Sequence, residues 1–238
     1  MSNKASTIFD DLMVERYTKN PEKHRISVGF TETGTEVNFG LKQMGNTLIS
    51  GISRSGKTQL ALHLLESVTK FADVAVYSVK PSDFFMFRDD VKIVDDSNTM
   101  SKLIRRTVGE IERRADRVRK ASEKAGYVVE CTEKPMIVMI DEFAAYSSTM
   151  DEATEIALEK IAGVGMGLNV YLYISCLLPS KKVMGDIRDQ FITSISFRHR
   201  DRYGSQAAIG TSEATRLELR QCIVQNVIST FLVTSLNK

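Results

Sequence analysis

The stretch "NTLISGISRSGKTQLALHLLESV", residues 46–68, runs from a short apolar segment through a glycine turn into an amphipathic one. Residues 47–50 read as a buried strand, and Leu60, Leu64, Leu65 and Val68 recur at helical spacing after Thr58. Between them, Gly51-Ile52-Ser53-Arg54-Ser55-Gly56-Lys57-Thr58 satisfies G-x-x-x-x-G-K-[ST], the spacing of a P-loop. The chemistry requires these types. Phosphates sit against backbone N–H groups at a helix N-terminus, where donors are free and the dipole is positive. Gly51 and Gly56 allow a tight reversal without a Cβ in the way. Lys57 would reach the β- and γ-phosphates of ATP, and Thr58 would ligate Mg2+. Ile52, Ser53, Arg54, Ser55 and Gln59 complete the expected nucleotide-binding set.

A second motif supplies carboxylates. "PMIVMIDEFAAY", residues 135–146, is a nearly continuous apolar run ending in Asp141 and Glu142, the pattern of a central strand covered on both faces. In a P-loop ATPase, Asp141 would hold the magnesium shell and Glu142 would orient the attacking water. The same pair could instead serve as an acidic N-cap for the following helix. The apolar strand before it, in a chain that already holds a P-loop, favours catalysis.

The whole chain bounds these readings. Its 238 residues, 42% of them hydrophobic, can bury one large α/β core. A net charge of +2 does not by itself point to nucleic acid. Cys131, Cys176 and Cys222 are odd in number and widely spaced, which argues against a disulfide framework or a zinc site and suggests core thiols in a cytoplasmic protein. No run reaches the ~18 apolar residues of a membrane span. Membrane contact is therefore expected only through a partner or a missing anchor, as recruitment to the inner face of the cell membrane.

Residues 1–24 are polar and mixed in charge and read as an arm or linker; residues 25–238 read as the folded domain. "RISVGFTETGTEVNF" predicts a hairpin turning at Thr33-Gly34. Strand-like runs "DVAVYSVKP", "VKIVDD", "LNVYLYISC", "TSISFR", "CIVQN" and "STFLVTS" alternate with helical segments, which predicts a mostly parallel sheet flanked by helices, with further strands near the end. Residues 101–125 predict a long amphipathic helix with Ile104, Val108, Ile111, Ala115 and Val118 in one stripe. Arg105, Arg106, Arg113, Arg114, Arg117, Arg119 and Lys120 lie on its other face. Interleaved Glu110, Glu112 and Asp116 favour a solvated surface over a nucleic-acid stripe.

The blocks "NTLISGISRSGKT", "EIERRADRV", "KPMIVMIDEFAAY", "LNVYLYISCLLPS", "IRDQFITSISFR" and "GSQAAIG" resemble, in order and spacing, the FtsK/SpoIIIE family of motor ATPases, of the HerA/FtsK type and the RecA-like additional-strand class. The resemblance runs from about Arg25 to the C-terminal strands. It implies a RecA-like P-loop ATPase fold with a short N-terminal hairpin and C-terminal antiparallel strands, and a homo-oligomeric hexameric ring hydrolysing ATP. The cargo would be double-stranded DNA, moved in conjugative or mobile-element transfer or chromosome partition, or a protein in type VII secretion. "IRDQF" with "YGSQAAIG" is similar to the coupling ATPases of Gram-positive conjugative elements. "RISVGFTETGTEVNFGLKQMGNTLISG" is similar to the lead-in of an EssC/EccC secretion module.

Several positions depart from the family pattern. Where members carry a polar Gln after the fourth strand, in "ATQRPS", this chain has Ser175-Cys176-Leu177-Leu178-Pro179-Ser180. Ser175 is thus the candidate sensor of the γ-phosphate, and low activity of the isolated chain is expected. Tyr77-Ser78-Val79-Lys80 lacks the family's acid, and Gln206 replaces an arginine. Arg188 and Arg198 are the candidates for an arginine acting across a subunit interface. Lys181 and Lys182 are the candidate DNA contacts, with Arg188, Arg198, Arg200 and Arg202 beyond them; a solvated surface explains these cations equally well.

Overall fold

The computed structural model describes residues 24–236. The expected N-terminal arm, except for His24, lies outside the described residues. A hairpin of β1 (Arg25–Phe30) and β2 (Glu36–Gly40) comes first, reversing where the Thr31 N–H donates to the Thr35 carbonyl and Gly34 takes φ +77°. The short α1 (Leu41–Met44) then leads into β3 (Thr47–Ser50), the P-loop and α2 (Lys57–Val68). The remaining elements are β4 (Asp73–Tyr77), β5 (Val91–Val94), α3 (Ser97–Ala125), β6 (Met136–Ile140), α4 (Phe143–Ser147), α5 (Glu152–Val164), β7 (Val170–Cys176), α6 (Lys181–Met184), β8 (Thr193–Phe197), α7 (Arg202–Ile209), β9 (Cys222–Asn226) and β10 (Thr230–Val233).

The main sheet has the order β10-β9-β8-β3-β7-β6-β4-β5. From β8 to β5 all neighbours are parallel, and β9 and β10 extend the other edge antiparallel. The expected α/β class, with its hairpin and antiparallel C-terminal strands, is the one observed. One strand, β7, stands between the P-loop strand β3 and the carboxylate strand β6. It is the added strand that the RecA-like class implies, and it sets the spacing of the site.

All seven residues of β7 are buried, as in a strand covered on both faces. Tyr171 and Tyr173 join the core under α2 and the hairpin, with Ile49, Leu64, Val76, Met139 and Ile195. Leu172 and Ile174 point to the opposite face and pack with Ile104, Ile111, Leu158 and Ile161 of α3 and α5. The alternation is the period-2 consequence of the pleat.

Two details differ from the sequence expectation. Helix α3 begins earlier, at Ser97, because Asp96 caps it by accepting the Thr99 N–H at 2.7 Å. Its buried side also differs: Ala115 is exposed, Val108 and Val118 are half-buried, and Arg114 is buried at 4% exposure. The Arg114 guanidinium donates to the carbonyls of Leu168, Asn169 and Lys134 and to Glu110, so the buried charge is met by acceptors on every side it presents. Arg105, Arg113, Arg117, Arg119 and Lys120 each lie within ion-pair distance of a carboxylate, which suits the solvated-surface reading of that face. All three cysteines are free and buried.

The Glu110 carboxyl is held down at about 2, chiefly by the hydrogen bond from Arg113, with burial opposing and Arg114 adding to it. A lowered folded-state pKa stabilises above the unfolded value near 4.5, and that stability is lost as pH falls toward 2. Urea unfolding across this window is expected to show wild-type stability falling more steeply than that of Glu110→Gln. At neutral pH, Arg114→Ala is expected to cost about 3 kcal/mol, because it strips a buried charge from its partners.

Candidate nucleotide site

The P-loop is braced by the strand next to it. Ile52 N–H donates to the Arg198 carbonyl at 2.9 Å, and Arg220 N–H donates to the Ser55 carbonyl at 3.0 Å. Gly51 and Gly56 take φ +142° and +124°, and a Cβ at Gly56 would meet the Phe197 ring at 2.8 Å. The glycines are thus required by backbone conformation and by the close approach of β8. Arg54 forms the exposed left-handed tip of the loop at φ +63°, beside exposed Ser53; Gln59 is also exposed and Thr58 half-buried.

Lys57 opens α2 and is only 7% exposed. Its Nζ donates to the carbonyls of Gly51 at 2.9 Å and Ile52 at 3.1 Å, which folds the side chain over the loop. Burial pulls its pKa down, against the nearby carboxylates of Glu142 and Asp141. The Cys176 thiol itself is pushed up to about 12 by burial and stays neutral.

Asp141 and Glu142 follow β6 and reach the same strand ends. Burial raises the Glu142 pKa, with Lys57 pulling the other way and Asp141 adding to the rise. Its Oε1 is buried with no hydrogen-bond partner, while the Leu177 backbone amide steadies the carboxylate. Glu142 occupies the N-cap position of α4 yet makes no side-chain cap bond and sits at φ +58°, so its side chain does not act as an N-cap. Asp141 accepts from Ser175 Oγ at 2.6 Å and Ser78 Oγ at 3.3 Å, and Glu142 N–H donates to Ser175 Oγ at 3.1 Å.

The other sequence candidates are spread more widely. Arg188 is committed within the chain, donating to the carbonyls of Pro179 and Ala207. Arg198, Arg200 and Arg202 are exposed around the turn after β8. Lys181 and Lys182 are exposed on α6, Lys181 at 3.7 Å from Asp186.

Two neighbours of the site escaped the sequence reading. His199 Nε2 lies 3.2 Å from Ser50 Oγ, behind the P-loop, and burial pulls the imidazole down to about 4, with Lys57 acting the same way. It is neutral at pH 7. Ser78 entered the sequence reading only as a missing acid. Neither has a spacing signal, since both reach the site through strand pairing.

The residues fit ATP with magnesium. Ser55 Oγ and Glu142 Oε1 are buried and unpartnered, the two glycines keep Cβ atoms out of the loop, and Lys57 and Asp141 supply the complementary charges. The P-loop backbone and Lys57 would hold the phosphates, and Thr58 and Asp141 the metal.

Fold and site together have the arrangement of a P-loop nucleotide-binding domain, with one strand between the P-loop strand and the carboxylate strand. No protein-family model and no curated protein matches the chain. Among solved structures, the chain is similar to the pCW3 conjugation coupling protein TcpA in its monomer form with ATPγS, at TM-score 0.77 and 19% identity over 93% of this chain and 68% of that one. It is also similar to the cytoplasmic domain of the Thermomonospora curvata type VII secretion ATPase EccC, at TM-score 0.73 and 17% identity over 90% of this chain and 29% of that one. ATPases 2 and 3 of EssC from Geobacillus thermodenitrificans give TM-score 0.73 and 17% identity over 91% of this chain and 45% of that one. The likeness establishes the fold, and it agrees with the FtsK/SpoIIIE resemblance of the motifs. This chain spans less than half of either secretion ATPase chain.

Gly56→Ala is expected to abolish nucleotide binding while leaving the far-UV spectrum native, because the strain falls on the loop. Lys57→Ala is expected to remove a charge-assisted contact worth ~1.5–3 kcal/mol, weakening ATP by about one to two orders of magnitude in a titration of the folded variant.

Proposed function

We propose that this chain is an ATP-hydrolysing motor domain that acts in a homo-oligomeric, hexameric ring and translocates double-stranded DNA, as in conjugative transfer. The observation that carries the ATPase reading is the convergence of Lys57 with Asp141 and with a half-buried Glu142, whose Oε1 is buried and unpartnered, at the same edge of the sheet. Backbone N–H groups of the P-loop and the Lys57 ammonium hold the β- and γ-phosphates. Glu142, its carboxylate partly desolvated, accepts a proton from the attacking water. Magnesium, when bound with ATP, supplies charge neutralisation at the phosphates.

The DNA reading is supported by the similarity to the conjugation coupling protein and by the exposed cations Lys182, Arg198, Arg200 and Arg202. Arg198, exposed beside the P-loop, suits an arginine acting across a subunit interface better than Arg188, whose guanidinium is engaged at home. A second reading, an ATPase module of type VII protein secretion with weak or regulatory hydrolysis, is favoured by the similarity to EccC and EssC and by the β1–β2 lead-in. Among the described residues no helix is long and apolar enough to cross a membrane, so membrane recruitment in either reading runs through a partner or a further segment.

Phosphate release by the purified chain, from dilute to assembling concentrations and with or without double-stranded DNA, tests both. Basal turnover is expected below the ~1–100 s⁻¹ of efficient phosphoryl-transfer enzymes, rising with assembly and DNA. Glu142→Gln is expected to bind ATP as wild type does and to lose that turnover, since it removes a contact with the water and not with the bound phosphates. Stimulation absent with DNA but present with a secreted protein substrate would favour the secretion reading.

A further inference from the structure

We propose that Ser175 and Ser78 are a pair of positioning residues that fix the Asp141 carboxylate as a metal-facing acceptor, an inference that rests on the ATP and magnesium reading of the site. A serine hydroxyl has one proton to donate and two lone pairs that accept. Ser175 Oγ accepts the Glu142 N–H at 3.1 Å and donates to Asp141 Oδ1 at 2.6 Å. Ser78 Oγ accepts the Lys80 N–H at 3.0 Å and donates to Asp141 Oδ2 at 3.3 Å. Each hydroxyl is therefore aimed by a backbone amide, and each places its single proton on a different oxygen of one carboxylate. The carboxylate is held from both sides, and each oxygen keeps acceptor capacity for a metal or its water shell.

The strand order brings the two serines there. β7 pairs with β3 on one side and β6 on the other, in a register that sets Ser175 opposite Ile49 and Ile174 opposite Ile140. Ser175 thus comes level with Asp141, the residue after β6. Ser78 follows β4, which pairs with β6 on its far side, with Tyr77 opposite Ile140. Both serines are buried, at 3% and 0% exposure, so water does not compete for these bonds. Ser175 has a second duty. Glu142 sits in a left-handed conformation at φ +58° and ψ +67°, which a non-glycine residue adopts at a cost, and the bond from its N–H to Ser175 Oγ helps hold it there. Since the Ser175 proton belongs to Asp141, this serine acts through the carboxylate and not as a γ-phosphate donor.

The experiment titrates mant-ATPγS into wild type, Ser175→Ala, Ser175→Thr and Ser78→Ala, first in EDTA and then across a Mg2+ series, with Mn2+ binding followed by electron paramagnetic resonance. For both alanine variants, affinity in EDTA is expected to stay within about twofold of wild type while the Mg2+ midpoint rises about tenfold, the scale seen when a partner that orients a metal ligand is removed. Ser175→Thr, which keeps the hydroxyl, is expected to restore the midpoint, and Mn2+ binding is expected to follow the same order. An unshifted midpoint in Ser175→Ala overturns the inference. So does a loss equally large in EDTA, which is the result for a phosphate sensor or a general packing role. If Ser175→Ala does not fold, Ser78→Ala carries the same reading and the same refutation. A wild type whose nucleotide affinity does not respond to Mg2+ overturns the underlying reading of the site, a result distinct from a responsive wild type with unresponsive variants.

Discussion

A parallel sheet covered by helices on both faces can carry polar chemistry only at its strand ends, because a polar group along a buried strand would lose water without gaining a partner. This constraint organises the whole chain. β6 and β7 are apolar through most of their length, and at the ends where β3, β6 and β7 stop the chain places Ser50, Asp141 and Ser175. The same ends receive the P-loop and the N-terminus of α2, where backbone donors are free. The helix dipole and the carboxylates thus meet at one edge of the sheet.

Close packing then limits how the loop can be built. β8 lies alongside β3, and its Phe197 presses against the turn of the P-loop, so the glycines answer both to a positive φ and to an aromatic ring. Behind the loop, His199 meets Ser50 as a neutral imidazole, which adds no positive charge beside Lys57. The lysine and the glutamate are both partly desolvated, and each moderates the cost of burying the other. In a setting of low dielectric the orientation of a charged group matters, and two hydroxyl groups donate to the two oxygens of Asp141.

The position where a polar sensor side chain was expected shows how a chain can replace one kind of group by another. Leu177 offers no side-chain donor, yet its backbone amide faces the Glu142 carboxylate. Ser175, one turn of the pleat earlier, serves Asp141. The polar contacts are present, but they converge on the two carboxylates.

The P-loop, the apolar strand ending in Asp141 and Glu142, the hairpin, and the alternation of strands with helices were all legible in the chain alone, because each is a local pattern in which spacing has a direct physical meaning. The α/β class follows from them. What the tertiary structure decided is non-local. That β7 lies between β3 and β6 depends on which strands pair, and this brings Ser175 against a residue 34 positions away in sequence. The burial of Arg114 on a face that reads as cationic and exposed, and the engagement of Arg188 by the carbonyls of Pro179 and Ala207, depend on which backbone carbonyls the fold brings within reach of each guanidinium. Periodicity records which side of a helix is apolar. It does not record which distant backbone carbonyls come within reach, and those carbonyls are where the Arg114 and Arg188 guanidinium groups went.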